Sequence, residues 1–396
     1  MDRRAFVRRS GLACVGMFSR AGFSERLWGQ TGAPVLNFDQ GLARADQNLL
    51  LSSSACHLPP VHVAAERVIR TTVGLRPYRP SGFVVRSEKL DGTLVIHNYG
   101  HGGAGITLSW GTAQLAMDLG CQGHEGPVAV LGSGAVGLAT ARLLQEAGFQ
   151  VTIYTKALPH DTTSNAAGGA WTPFLVADSE KVDAQFNRQL LSAAKFSYDR
   201  FVNMAGERFG VRWMRSYSIA KDGFDESSAV GTQSIFRDMR PEFRELTPAE
   251  HPFPAGCAVR QFDTLLIEPP TYLQAMTTAF RDASGEIVLK SMPDRAAIAQ
   301  LPEKLVFNCT GLGAKDLFQD SELVPARGQL TFLRPQPEVE YAVSHDELYM
   351  LPRTDGIALG GTYELGMAAL TPDMNKMRKI LAQHKAFFDG YRHTAC

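Results

Sequence analysis

Apolar positions along the chain change period from block to block. Val128–Leu131 is an unbroken apolar run, followed by a glycine turn and then a helical pattern over 136–148 and a second short strand over 150–154. That succession predicts a βαβ opening. A helix is expected from Gly105 to Leu119, with Ile106, Leu108, Leu115 and Leu119 as its apolar positions. The stretch 181–209 reads as one long amphipathic helix, and 269–284 as a helix whose two leading prolines fit a first turn. Strand-like runs are expected at RVIRTTVGL, GFVVRSE and TLVIHN, then near 211–219 and 257–267. KLVFNCTGLGA (304–314) reads as a strand entering a glycine turn. RGQLTFLR, ELYMLPR and IALGGTY read as an antiparallel sheet, and a last helix is expected near 372–388. Residues 20–65 show neither period and read as irregular.

Composition narrows the class. The 396 residues are 44% hydrophobic and 20% charged, enough for two packed domains with a large core. The 40 basic and 40 acidic residues cancel, and no basic run interleaves with aromatics, which argues against a nucleic-acid partner. Six scattered cysteines without a CxxC pair read as buried or free thiols, not as a metal site or a disulfide framework. No metal site is expected: His97 and His101 are four apart, but the intervening Asn-Tyr-Gly does not suit a two-histidine helical site. They are expected to hydrogen-bond the loop backbone. The start, MDRRAFVRRSGLACVGMFS, resembles a twin-arginine export signal, with a periplasmic or secreted destination; a basic tail on a cytoplasmic protein is the alternative. Its apolar stretch is too short to span a bilayer, and no other segment is apolar enough, so an integral membrane protein is not expected.

The glycine turn carries the first chemistry. Gly132-Ser133-Gly134-Ala135-Val136-Gly137 is GxGxxG after an apolar strand and before a helix. Its glycines permit a tight turn and close approach of backbone to a pyrophosphate at the helix N-terminus. The acidic residue that usually ends the second strand is missing: Tyr154-Thr155-Lys156 stands there. Lys156 alone would suggest a 2′-phosphate and an NADPH enzyme.

Other blocks point elsewhere. LPHDTTSNAAGGAWTPF (158–174), NCTGLGA with the later RGQ, ELYMLPRTDGIALGGTYELG (347–366), VGLRPYRP (73–80) and VIHNYGHGGAGIT (95–107) resemble segments of the D-amino acid oxidase family. The nine residues His97–Gly105 match the family signature at nearly every position. The blocks cover most of the chain from about 66 to 370. In that family the arginine and HNYGHGG segments close the chain, whereas here they precede GxGxxG. The sequence therefore reads as a circular permutation, joined through GCQGHEGP.

The resemblance implies an α/β fold: a Rossmann-like FAD-binding domain with a mixed or antiparallel-sheet substrate domain. The expected divisions are an export signal over 1–30, a linker over 31–65, a permuted substrate-domain segment over 66–93 and the FAD-binding core over 94–175. Substrate-domain residues interleaved with FAD-domain elements follow over 176–303, then an FAD-domain strand and glycine turn over 304–325, and the substrate-domain sheet with the final helix over 326–396. It implies oxidative deamination of D-amino acids with neutral side chains, FAD as cofactor and oxygen as electron acceptor. A homodimer stays open. Arg76 is implied to grip the substrate carboxylate through two parallel hydrogen bonds, with Arg79 as the nearby competitor. Tyr349 is implied to touch the same carboxylate, and the carbonyl of Gly103 the amine. The family's second tyrosine has no counterpart near Asp346 and Glu347. Flavin contacts are implied for Gly132, Ser133, Gly134, Ala135, Val136, Gly137, Lys156, Thr162, Thr163, Ser164, Gly168, Gly169, Ala170 and Trp171. Gly102, Gly103, Gly105, Ile106 and Thr107 are implied to surround the flavin at the start of the helix 106–119. Tyr363 is implied to border the substrate side chain, where D-aspartate oxidases tend to have arginine. Three alternatives stay open: a dehydrogenase reducing a quinone, an oxidase of D-aspartate or secondary amines, and a flavin-free amino-acid binding protein.

Overall fold

The computed structural model describes residues 55–221, 223–224 and 236–392. The segment read as an export signal lies outside them. Two sheets organise the chain. The six-stranded sheet has the order β2 (Val84–Leu90), β3 (Thr93–Tyr99), β10 (Leu305–Asn308), β4 (Val128–Leu131), β5 (Val151–Thr155), β9 (Glu286–Leu289). All its pairs are parallel except the β2–β3 hairpin. Every residue of β10 and β4 is buried, as a parallel strand covered on both faces requires. β3 precedes the βαβ unit in the chain yet lies beside β10, across from β4.

On one face of this sheet, α1 (Gly105–Gly120) packs against α2 (Ala135–Glu146) and α3 (Ala184–Asn203), with α4 (Pro269–Asp282) beside them. Gly111 lets α1 and α3 meet: a Cβ there would stand 1.9 Å from the Ala193 carbonyl oxygen. The Gly111 N–H donates to Ser197 Oγ at 2.7 Å, and Trp110 Nε1 donates to the Tyr272 hydroxyl at 3.0 Å, tying α1 to α4. The opposite face carries α5 (Arg295–Ala299) and α6 (Ala314–Leu317), with Ile298, Ala314 and Phe318 in its core.

The nine-stranded sheet has the order β1 (Val68–Tyr78), β11 (Val324–Leu333), β14 (Gly356–Gly360), β13 (Leu348–Arg353), β12 (Tyr341–His345), β6 (Val211–Ala220), β8 (Ala258–Ile267), β7 (Arg244–Leu246), and β15 (Glu364–Leu365) pairs with β11. It is mixed, because β12 and β6 run parallel. α7 (Met374–Asp389) covers one face through Ile380, Phe387 and Phe388. Met214, Leu266, Leu330, Leu351 and Ala358 form a separate cluster with Ala170 and Tyr349.

Three expectations change. The segment 66–93 does not stay in one unit: β1 joins the large sheet, but β2 joins the small one. Asp91 and Gly92, both at positive φ (45° and 80°), form the two-residue turn that returns β2 onto β3. The linker expected over 31–65 is packed by its end, where Val61 and Val63 are buried on the α7 side and Pro59 and Pro60 accept hydrogen bonds from Tyr341 and Gln336. The long helix expected over 181–209 is Ala184–Asn203 only: Asp183 caps its start by accepting from the Phe186 N–H at 2.8 Å, and beyond Met204 the chain turns through Gly206 at φ +143°.

Candidate active site

The Gly132–Gly137 motif leads from β4 into the first turn of α2. Gly132 holds φ +98°, and its hydrogen faces the Cys309 carbonyl, 2.6 Å from where a Cβ would be. Gly137 is closed in still further: a Cβ would lie 2.0 Å from the Gly132 oxygen. Gly134 faces a softer neighbour, with Ser164 Oγ 3.1 Å and Thr162 Oγ1 4.0 Å from the Cβ position. Ser164 Oγ accepts from the Ala135 N–H at 3.0 Å, so the loop after β5 is docked on the α2 N-terminus. Ser133 is buried, and its hydroxyl donates to the Ala157 carbonyl at 2.7 Å and pairs with Thr155 Oγ1 at 3.1 Å. Its side chain therefore holds β4 to the chain leaving β5. Val136 is half-buried, and Lys156 and Thr163 are exposed. Thr162 Oγ1 donates to the Pro159 carbonyl at 2.7 Å.

The same loop then crosses the large sheet. Gly169, at φ +102°, accepts at its carbonyl from the Ile267 N–H, Ala170 bridges Leu266, and the Trp171 N–H donates to Leu265. Trp171 is buried, with its Nε1 among the described buried polar atoms that have no partner. The Thr172 N–H donates to Thr107 Oγ1 at 3.3 Å, which joins this loop to the first turn of α1. Ile106 and Thr107 are buried there, and Gly105 is half-buried. Leu175 takes a left-handed conformation (φ +57°), and its carbonyl accepts from the Gly103 N–H at 3.2 Å. A Cβ on Gly102 would stand 2.2 Å from that same oxygen. Gly103 is exposed, 3.7 Å at its Cβ position from Arg76 Cδ.

Arg76 lies on β1 and crosses onto β11. Its guanidinium covers Gly328, where a Cβ would meet Nη1 at 2.3 Å and Cζ at 2.6 Å. Nη1 donates to the Thr362 carbonyl at 3.4 Å, and Cζ stands 5.9 Å from the Tyr363 ring centroid. Tyr349 lies on β13, with its ring over Gly360 in the same manner, 2.2 Å from that Cβ position at Cζ. Its hydroxyl is 3.7 Å from the Cβ position of Gly168. Continuing the β11–β14 register by one pair sets Leu330 opposite Gly360, so Gly328, Leu330 and Gly360 share a face. Arg76 and Tyr349 therefore lie on one face of the large sheet, beside the glycine loops at 102–103 and 168–169. Arg79, the competitor, is engaged elsewhere: it pairs with Asp320 at 2.8 Å and Glu322 at 2.6 Å.

Gly328 and Gly360 leave the room that the Arg76 guanidinium and the Tyr349 ring occupy, which reading the sequence missed, although RGQ and GGT flagged their blocks. The neighbour a Gly328 side chain would displace is the mobile end of Arg76, not backbone. Gly328→Ala should leave Tm close to that of the parent and lower kcat/KM about 10²-fold, the scale of a misplaced positioning group; steady-state kinetics beside a melting curve checks this.

Tyr363 and Tyr78 meet edge to face at 6.3 Å, and the Tyr78 hydroxyl donates to Asp178 at 2.5 Å. Burial, and then the Asp178 carboxylate, push the Tyr78 phenol up, so it stays protonated.

The two histidines of HNYGHGG bond side chains, not loop backbone as expected. His97 Nε2 meets Glu88 at 3.1 Å and its Nδ1 meets Asn308 at 3.1 Å; His101 Nε2 meets Thr112 Oγ1 at 2.9 Å and stacks on Phe83. These partners lie on β2, β10 and α1, which face the rings. Among the described residues no group could hold a metal ion, and Cys121, Cys257 and Cys309 are free thiols. No helix of the described residues is long and apolar enough to cross a membrane.

Burial pushes His101 down to about 3, His345 to about 3 and His384 to about 4. The unfolded chain, with histidines near 6.5, binds more protons than the folded one below that pH, so stability is complete above it and falls as the medium acidifies. Tm should drop steadily between pH 7 and pH 5. His101→Asn should lower Tm at pH 7 and flatten that slope.

The family model described as "FAD dependent oxidoreductase" matches residues 6–119 and 127–395. The chain belongs to this family. It is 29% identical over 255 residues to a D-amino-acid oxidase of Streptomyces coelicolor, covering 63% of this chain and 74% of that protein. It is also 29% identical over 275 residues to human D-aspartate oxidase, covering 68% and 77%. Among solved structures, a glycine oxidase from Bacillus cereus shares the fold at TM-score 0.53 and 17% identity over 65% of this chain and 79% of that one. An L-proline dehydrogenase from P. horikoshii does so at TM-score 0.51 and 14% identity, over 67% and 78%.

The residues present suit the family's cofactor. Gly134 leaves open, at the α2 N-terminus, a space that a side chain would narrow against Ser164. A helix N-terminus reached through a glycine turn favours a diphosphate. The unpartnered Trp171 indole N–H lies on the same loop as Ser164.

Proposed function

We propose that the chain binds FAD and deaminates D-amino acids with neutral side chains to 2-oxo acids and ammonia. The observation that carries this is the placement of Arg76 and Tyr349 on one sheet face beside the glycine loops. Arg76 grips the α-carboxylate through its paired N–H groups, and the Tyr349 hydroxyl donates to the same group. The Gly103 carbonyl accepts from the substrate amine. Gly132–Gly137, Thr162 and Ser164 hold the diphosphate end of the cofactor, and Gly168–Trp171 with Gly102–Thr107 line its ring. FAD, when bound at these residues, would supply the two-electron acceptor for the hydride of the α-carbon, with oxygen as the final acceptor and hydrogen peroxide as the by-product. Three-point binding of carboxylate, amine and side chain selects the D isomer and orients its α-hydrogen. The imino acid released then hydrolyses in water. No general base is assigned, because an amine bound neutral already has its lone pair free and need lose no proton before hydride leaves.

A neutral side chain is proposed because Tyr363, not an arginine, stands beside Arg76. The break in the family match at 120–126, between α1 and β4, supports reading the chain as a circular permutation, as does the placement of β3 beside β10. The N-terminal twin arginines support export to the periplasm. The test is oxygen uptake and peroxide release with D-alanine, D-methionine, D-aspartate and L-alanine. Uptake with the neutral D-amino acids alone supports the reading. Uptake only with D-aspartate overturns the side-chain proposal, and dye reduction without oxygen uptake overturns the acceptor.

A further inference from the structure

The chain leaves Tyr363 through the short strand β15 into a stretch whose backbone is held to β11 and whose side chains are exposed. Residues 365–372, Leu-Gly-Met-Ala-Ala-Leu-Thr-Pro, are all exposed and none is charged. Leu365, Met367, Leu370 and the following Met374 are 42%, 49%, 62% and 48% exposed. They make up half of the eight large hydrophobic side chains exposed among the described residues, gathered within ten positions.

The loop is built to hold this shape. Arg327, buried on β11, donates to the Ala369 carbonyl at 2.8 Å and the Thr371 carbonyl at 2.6 Å. The Gly366 N–H donates to Pro325 at 2.7 Å. Gln329 exchanges two hydrogen bonds with the Asp373 backbone, at 2.7 and 3.0 Å. Anchoring the backbone from below leaves the side chains turned outward.

Across the groove that Lys379 lines stand Asp346 and Glu347, Asp346 paired with Lys221 at 3.3 Å, and on the loop's own side the acids are neutralised. Glu364 is paired with Arg327 at 2.5 Å and also with Lys376; Asp373 caps α7 through the Asn375 and Lys376 N–H groups. Both acids beside the loop are thus compensated. Arg378 and Lys379, one turn into α7, are exposed; Arg378 donates to Asn375 Oδ1 at 3.0 Å and carries no carboxylate partner there.

We propose that this loop docks the protein on an anionic lipid surface, with Met367 and Leu370 entering the headgroup region and Arg378 and Lys379 meeting the lipid charges. Uncharged apolar side chains flanked by cations are the composition that interfacial binding requires. A second copy of the chain fits less well, since four side chains offer a few hundred Å², short of the ~800 Å² per partner of a stable dimer. The inference does not rest on the proposed chemistry.

The test is co-sedimentation of the full chain with phosphatidylglycerol–phosphatidylcholine vesicles and with pure phosphatidylcholine vesicles, read beside its mass in solution. Binding at least tenfold stronger to the anionic vesicles is expected, weakening with salt. M367D/L370D should lose it at least tenfold, and R378E/K379E should remove the salt dependence, with melting curves unchanged. Because the N-terminal arginines are also cationic, binding that survives M367D/L370D overturns the proposal. So does absence of vesicle binding. A parent dimer that M367D/L370D converts to monomer, with vesicle binding unchanged, makes the loop a contact between copies and overturns it as well.

Discussion

Arg76→Ala should lower kcat/KM for the proposed neutral D-amino acid substrates by about 10³-fold, with KM and kcat both affected. A hydrogen bond to a charged group is worth about 1.5–3 kcal/mol, and a bidentate guanidinium supplies two. Losing both removes about 4 kcal/mol, and each 1.4 kcal/mol is a factor of ten. Arg76→Lys keeps the charge but not the fork, so it should recover only part of the loss. Arg79→Ala provides the contrast. Arg79 serves Asp320 and Glu322, so its removal should lower Tm and leave kcat/KM within a few fold. Steady-state kinetics with melting curves separates the two arginines. Equal kinetic effects of both alanine variants would contradict the carboxylate role of Arg76.

Gly137→Ala has the other large effect, on cofactor retention. The added methyl would lie 2.0 Å from the Gly132 carbonyl oxygen, a backbone atom, so strand, turn and helix must separate. Overpacking of this kind costs about 1–3 kcal/mol or more, and it acts on the turn proposed to hold the diphosphate. Purified Gly137→Ala should carry little flavin and melt well below the parent. Gly134→Ala is the milder case, because the methyl meets Ser164 Oγ at 3.1 Å and a hydroxyl can rotate away. Absorbance near 450 nm relative to 280 nm reads both variants. Full flavin in Gly137→Ala would contradict the placement of the cofactor at this turn.

Periodicity and local turn chemistry made the small sheet legible. VAVL with GxGxxG announced β4 and α2 because a buried parallel strand and a tight glycine turn are both local signals. The opening glycines of α1 were equally visible. The Asp91–Gly92 hairpin was readable in principle, since Asp-Gly between two strand-like runs is a strong turn signal, and missing it placed β2 in the wrong sheet.

The site was legible as residue types and not as geometry. Arg76 and Tyr349 stand out in their blocks, but nothing in the sequence says that each side chain rests on a glycine of a neighbouring strand. Gly74 pairs with Gly328, and that register comes from the whole β1–β11 ladder. Ser133 looked available to a ligand because it sits inside GxGxxG, yet its hydroxyl is used by Thr155 and Ala157, 22 and 24 residues away. The left-handed turn at Leu175, which presses a carbonyl against Gly102 and Gly103, has no sequence signal, since a leucine is an unusual residue at positive φ. Close approaches of this kind arise only when distant segments are brought together.

The most direct measurement of the central claim is the visible spectrum of the purified protein without oxygen, before and after D-alanine, with L-alanine as the control. A yellow protein is expected, whose absorbance near 450 nm bleaches with the D isomer, stays with the L isomer, and returns when air is admitted. A colourless protein that gains no flavin band on addition of FAD, or a yellow one bleached by neither D-alanine nor any other D-amino acid, would contradict it.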